Sequence, residues 1–276
     1  MTEARTAEDR EGPAGGDPWG THDLPEGADR GLRVGPLHLR LVRSSGEIWL
    51  AHARPDPDRD PDDEPLLSDA EAEWARWAVP EESTGVRLAP AFPDRPLVVT
   101  PEDSFHLVQG ARARIFVRVP LWIRVELRGG GGIVLTEIPS VILSDTWFGD
   151  FMEGELCYFQ PTTARRTVRP EHFDHHLAVC PIQLSNRSED PLAVEKLALR
   201  VAHLSLFRRG GELWADETRV SYRGEEAGSE IRTAHSPPAE APDATLVTPP
   251  RTPADRGFRA RTFSRLKGLS GLGILG

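Results

Sequence analysis

The chain has almost no lysine. Lys196 and Lys267 are the only two among its 33 basic residues, so its positive charge is carried by arginine. That reads first as composition, although arginine also offers planar, bidentate contacts to anions that lysine cannot make. Cysteine is equally scarce: Cys157 and Cys180 are the only two. No apolar stretch follows Met1 as a secretory segment would, and no run approaches the roughly 20 apolar residues of a membrane-spanning helix. The expectation is a cytoplasmic protein with reduced thiols. Catalytic signatures are missing too. There is no GxSxG elbow, no CxxC or HExxH metal motif, and no calcium-loop spacing. Gly129–Gly132 lacks the Lys-Ser/Thr and helix of a nucleotide loop.

Turn formers are abundant. Gly and Pro number 25 each in 276 residues, which disfavours long helices. The net charge of −10 is unevenly placed. Residues 1–30 carry −5 and residues 54–82 carry −8, leaving +3 for the remainder. The acidity therefore belongs to two polar stretches and argues neither for nor against an anionic partner of the folded part. No nucleic-acid partner is expected.

The most informative stretch is ARARIFVRVPLWIRVELR, from Ala111 to Arg128. Ala111, Ala113, Ile115, Val117, Val119, Leu121, Ile123, Val125 and Leu127 occupy every second position, with mostly arginine between them. A period of two means one buried face and one polar face of a strand. At ~3.3 Å per residue, eighteen residues would span almost 60 Å, too long for one flat strand in a domain of this size. Pro120 sits mid-run, where it cannot donate to a ladder, yet the alternation survives across it. A strand turning a corner between two sheets keeps its inside inside. This predicts a sandwich or barrel.

The rest of the chain supports an all-β reading. Residues 1–30 read as a disordered acidic tail, and 54–65 as a Pro/Asp-rich insertion in a domain spanning 31–233. Ser68 and Glu71 resemble a capping box before Trp74 and Trp77, which predicts one short helix over about 69–78. Ile133–Ile138 reads as a central strand, and Gly149 and Gly154 bound an expected loop. Strands then recur about every ten residues from Leu177, the cadence of all-β folds. Residues 234–255 read as linker, and 256–276 as a basic amphipathic or disordered tail. The predicted fold is a mainly antiparallel β-sandwich, with jelly-roll or immunoglobulin-like topologies as alternatives.

PLVVTPEDSFHL, FVRVPLWIRVEL, LSDTWFGDFMEGELCYFQP and LSNRSEDPLAVEKLAL resemble an uncharacterised prokaryotic family catalogued as domain of unknown function 432. The likeness spans about 86–233, with a looser start near 31, and is most specific from Leu143 to Tyr158. It implies an all-β fold and no known activity, and it carries over no site residues.

Three constellations remain as candidates for chemistry. Arg112, Arg114, Arg118, Trp122 and Arg124 share the polar face of the long strand, where guanidinium groups beside aromatics can hold anions and stack rings. The plainer reading is a solvated outer face. Asp145, Trp147, Phe148, Asp150, Glu153 and Glu155 crowd the expected loop, where binding residues often sit and carboxylates can do acid/base work. The alternative is a structural loop whose aromatics plug the sandwich end. His172, His175, His176 and Cys180 include zinc-ligand types without a zinc spacing. No metal or cofactor is therefore expected. The functional expectation is a non-catalytic binding protein for an unknown protein or small molecule. The alternatives are a metal-dependent enzyme built on the 145–155 acids and 172–180 histidines, and a protein docking on membrane surfaces through 256–276.

Overall fold

The computed structural model describes residues 16–54, 73–129, 131–149, 152, 154–225, 228–253, 257–260 and 262–264. The fold is all-β and mainly antiparallel. β1 (Gly20–Asp23), β2 (Asp29–Val34), β3 (Leu37–Ser44), β4 (Glu47–Ala53) and β5 (Ala75–Ala78) come first. β2 to β5 form a four-stranded sheet in chain order. Ser45 (φ 54°) and Gly46 (φ 77°) close the β3–β4 hairpin with the two positive φ values that match strand twist. β5 replaces the expected helix: Ala75–Ala78 pairs with Glu47–Leu50, and positions 69–72 lie outside the described residues. Of the tryptophans placed on a helical face, Trp77 packs on the core and Trp74 meets Trp49 edge-on at 6.2 Å. The Arg76 guanidinium lies 4.0 Å from the Trp49 ring. Pairing along the β4 edge overrides the local capping pattern.

Next come β6 (Gly85–Ala91), β7 (Leu97–Pro101), β8 (Phe105–Leu107), β9 (Arg112–Pro120), β10 (Trp122–Leu127) and β11 (Val134–Pro139). They are followed by β12 (Ser144–Gly149), β13 (Gly154–Ala164), β14 (Leu177–Asn186), β15 (Leu192–Val194) and β16 (Lys196–Leu199). The last are β17 (Leu206–Arg209), β18 (Glu212–Ala215), β19 (Thr218–Tyr222), β20 (Ser229–Thr233), β21 (Thr245–Thr248), β22 (Phe258–Ala260) and β23 (Phe263–Ser264). One sheet has the order β1-β6-β10-β11 and another β12-β13-β7-β16-β23. The largest runs β21-β17-β18-β14-β19-β20-β22, with β9 on the other edge of β14. A short β8–β15 pair stands apart. β11 is an edge strand with Val134 exposed, not the central strand its composition suggested.

The long alternating stretch does turn from one sheet to another. β9 pairs with β14 along its whole length, and β10 lies between β6 and β11. Leu121 is the corner: its N–H donates to the His176 carbonyl at 2.9 Å, and its carbonyl accepts from the Ser140 N–H at 3.1 Å. The alternation therefore stays in phase, and Ile115, Val117, Val119, Leu121, Ile123 and Val125 are all buried in one core shared by the sheets. Truncating such an isoleucine to alanine typically costs about 2–5 kcal/mol.

β18 and β19 both run parallel to β14 and are offset by one residue around Asp216. β17 pairs with β18 while β20 pairs with β19, so the neighbour changes at this bulge. Asp216 is fully buried, and its carboxylate accepts the Ser205 N–H at 3.0 Å and the His235 N–H at 3.2 Å. One side chain thus ties down the two chain ends that diverge there.

The expected tails are shorter than composition implied. Of the 1–30 segment, residues from Gly16 on are described. Trp19 and Leu24 are buried, and β1 pairs with β6. The expected linker 234–255 contributes β21 and buries Ala241 and Ala244 against Phe207 and Trp214. In the C-terminal segment, β22 and β23 pair with β20 and β16, which replaces a continuous amphipathic helix there. Residues 265–276, and most of the 54–65 insertion, lie outside the described residues.

Candidate functional site

Two of the four arginines on this face, Arg114 and Arg124, are occupied by the chain's own acids. Arg114 makes a bidentate pair with Glu240, at 2.8 and 2.9 Å, and also pairs with Glu217. The Glu240 bonds come first among the causes that raise its pKa. Arg124 pairs with Glu137 at 2.7 Å, and Arg251 reaches the same carboxylate at 2.6 Å. Burial pulls the Glu137 pKa up, but the Arg251 and Arg124 bonds outweigh it and hold the carboxyl below its usual range. The Arg251 guanidinium also lies 5.3 Å from the Trp122 ring. Arg112 is exposed at the strand start, and Arg118 is half-buried. The segment after β20 therefore lies along this face as a strap that engages Arg114 and Trp122.

The expected acidic loop is a hairpin. β12 and β13 pair from Ser144↔Phe159 to Gly149↔Gly154. Asp150 and Glu153 lie outside the described residues. One hairpin face carries Phe148 and Cys157, buried with Val98 and Ala198. Glu155 forms an ion pair with the largely buried Arg200. Burial, and then Glu155, push the Cys157 thiol up to about 11. The other face carries Asp145, Trp147, Leu156 and Tyr158. Asp145 bonds Arg95 at 3.0 Å. Arg95 sits 5.3 Å from the Tyr158 ring, and the Tyr158 hydroxyl donates to Asp94 at 3.0 Å. Tyr158 in turn lies 6.4 Å from Trp122. Two groups that the sequence kept apart, around Asp145 and around Trp122, are thus joined through Tyr158 and Arg95. Neither joining residue carries a motif that would mark it in the sequence.

Toward the hairpin tip the surface turns apolar. Trp147 and its cross-strand partner Leu156 are 54 % and 45 % exposed and Met152 is 85 % exposed; at the opposite end of β12, Ile142 is 72 % exposed. Gly154 is required beneath the indole: a Cβ there would fall 2.2 Å from Trp147 Nε1. β12 is the edge of its sheet.

The histidines do not converge. His172 is buried, with Arg165 Nη1 2.7 Å from its Nε2 and the Arg169 N–H donating to its Nδ1. Burial first, and then Arg165, lower its pKa. His176 pairs with Asp174 at 2.8 Å, while His175 lies 3.9 Å from Asp17. The Cys180 thiol lies in the core on β14. Among the described residues no three His, Cys, Asp or Glu side chains cluster as metal ligands.

A family model described as "Protein of unknown function (DUF432)" matches residues 18–267. The likeness is wider than the motifs alone marked out and takes in β1 and β21 to β23. No curated protein and no solved structure matches the chain.

Proposed function

We infer that this chain, which belongs to the DUF432 family, is a non-catalytic binding protein that takes an extended polypeptide segment along β12. The observation that carries this reading is a sheet edge, with no strand paired to it among the described residues, flanked by exposed Trp147, Leu156, Ile142 and Met152. Sheet edges are normally blunted by lysine, proline or inward charges. β12, SDTWFG, has a single charged residue, Asp145, and Arg95 already neutralises it. A strand added to such an edge gains main-chain bonds, and alternate side chains gain apolar contacts. The paired arginines and acids beside it form a polar rim around the apolar tip, as at protein contact surfaces. A cytoplasmic setting accords with two free, buried thiols, and no helix among the described residues is long and apolar enough to cross a membrane.

Selection of a random peptide display library on the full chain tests this. Enriched peptides should alternate apolar residues and lose at least about tenfold in affinity against Trp147→Asp or Leu156→Asp, the loss of one buried apolar contact plus an uncompensated charge. Both positions are exposed, so the variants should fold. Peptides that bind wild type and both variants equally would refute the assignment, as would failure to enrich any.

A further inference from the structure

A second feature lies away from the hairpin and independent of it. A cavity of about 820 Å³ opens where the β1–β2 connection, the β3–β4 turn and the β5–β6 connection meet. Main-chain bonds fix its walls. Gly27 N–H donates to the Arg43 carbonyl at 2.9 Å, Val79 N–H to the Gly46 carbonyl at 3.1 Å, and Leu24 N–H to the Thr84 carbonyl at 2.9 Å. Its volume falls in the range of small-molecule sites.

Two of its lining side chains are buried and under-satisfied. Arg43 and Ser83 are each 5 % exposed, and among the described residues neither Arg43 Nη1 nor Ser83 Oγ has a hydrogen-bond partner. A guanidinium keeps its charge in any protein, so burying it without acceptors is costly. Its ion pair among the described residues is long, with Nε 3.6 Å from Glu26 Oε2. Glu26 is itself exposed and accepts the Ser45 N–H. An anion entering the cavity would supply the acceptor that Arg43 Nη1 lacks among the described residues. The rim has the opposite sign. Glu26 and Glu81 stand exposed at the mouth, and Asp23 beside them is paired with Arg128. A buried cation and hydroxyl below an acidic mouth suit a molecule that carries both charges.

We propose that this cavity binds a small zwitterion of the amino-acid type, its carboxylate on Arg43 and Ser83 and its ammonium group at Glu26 and Glu81. The planar fork of Arg43 matches a carboxylate, and charge-assisted bonds of this kind are the strong ones. Pro25 and Val79 line the same cavity and supply an apolar surface for the remainder of the ligand.

Calorimetric titration of the full chain with each standard amino acid, and with acetate and methylamine as single-charge probes, tests the assignment. At least one amino acid should bind more tightly than either probe. Arg43→Met should abolish that binding, and Ser83→Ala should weaken it about tenfold or more, the worth of one bond to a charged group. Three results would overturn the proposal: no amino acid binding at 10 mM (roughly the weakest affinity of interest), acetate binding as well as the best amino acid, or Arg43→Met binding like wild type. Circular dichroism establishes that the variants fold. If Arg43→Met does not, Ser83→Ala decides alone, and unchanged affinity in that variant overturns the site.

Discussion

Replacing Asp216 by asparagine should change how stability depends on pH. The carboxyl is fully buried, and burial raises its pKa from 3.8 to about 6 despite the Ser205 and His235 N–H bonds. An acid with a raised folded pKa contributes stability that is complete below its unfolded pKa and is lost as pH rises through the folded one. A shift of about 2.2 units corresponds to about 3 kcal/mol in total. Linkage places about 1.4 kcal/mol of this between pH 7.5 and pH 5. Asparagine does not titrate, and its NH₂ would face one of the two N–H donors, a cost of about 1–3 kcal/mol at neutral pH. Equilibrium urea unfolding at pH 7.5 and 5.0 measures the effect, because titrating groups away from Asp216 cancel in the difference; His235, whose Nδ1 lies 3.8 Å from Asp216 Oδ2, is replaced by glutamine in both proteins so that its titration drops out. The advantage of the protein with Asp216 over Asp216→Asn should grow by about 1.4 kcal/mol on acidification. A constant or shrinking difference would refute the reading of Asp216 as a carboxyl held above its usual range by burial.

The strap over the arginine face makes a second expectation. Arg114→Ala and Glu240→Ala should each destabilise by about 1–3 kcal/mol, and a double-mutant cycle should return a coupling of at least about 0.5 kcal/mol; additive losses in urea titrations would show that the strap does not depend on this pair. The thiols make a third. With Cys157 raised to about 11 and Cys180 raised well above its usual value, both chiefly by burial, a thiol reagent at pH 8 should label neither in the native protein and both in urea. Rapid native labelling of one thiol would show that its cover opens.

The long strand was the most legible part of the sequence, because its signal repeats: nine alternating apolar positions hold one phase through Pro120, and only a corner satisfies that. The hairpin was less so. Gly149 and Gly154 read as punctuation, but Gly154 is small because Trp147 lies against it, a contact that spacing does not encode. The 234–255 segment was opaque for a different reason. Ala241 and Ala244 look like linker residues and are buried because Phe207 and Trp214 lie beneath them. Glu240 finds Arg114 across 126 positions, and no local pattern announces such a partner. The candidate site was half visible: Asp145, Trp147 and Trp122 stood out by type, whereas Tyr158, Arg95 and Arg251 matter only through three-dimensional neighbours.

The interleaved strand order has a kinetic consequence. β1 needs β6 (Gly20↔Leu88), β7 needs both β13 and β16, and β16 needs β23 (Leu197↔Phe263). Few of these sheets can close on nearest neighbours in the chain, so loop entropy is spent before most contacts repay it. All-β domains with such distant pairings fold in milliseconds to seconds or slower. Throughout that interval β12, with Trp147 and Leu156, presents the same sticky edge to every neighbouring molecule. A partner strand that occupies it early would act on yield as well as on function.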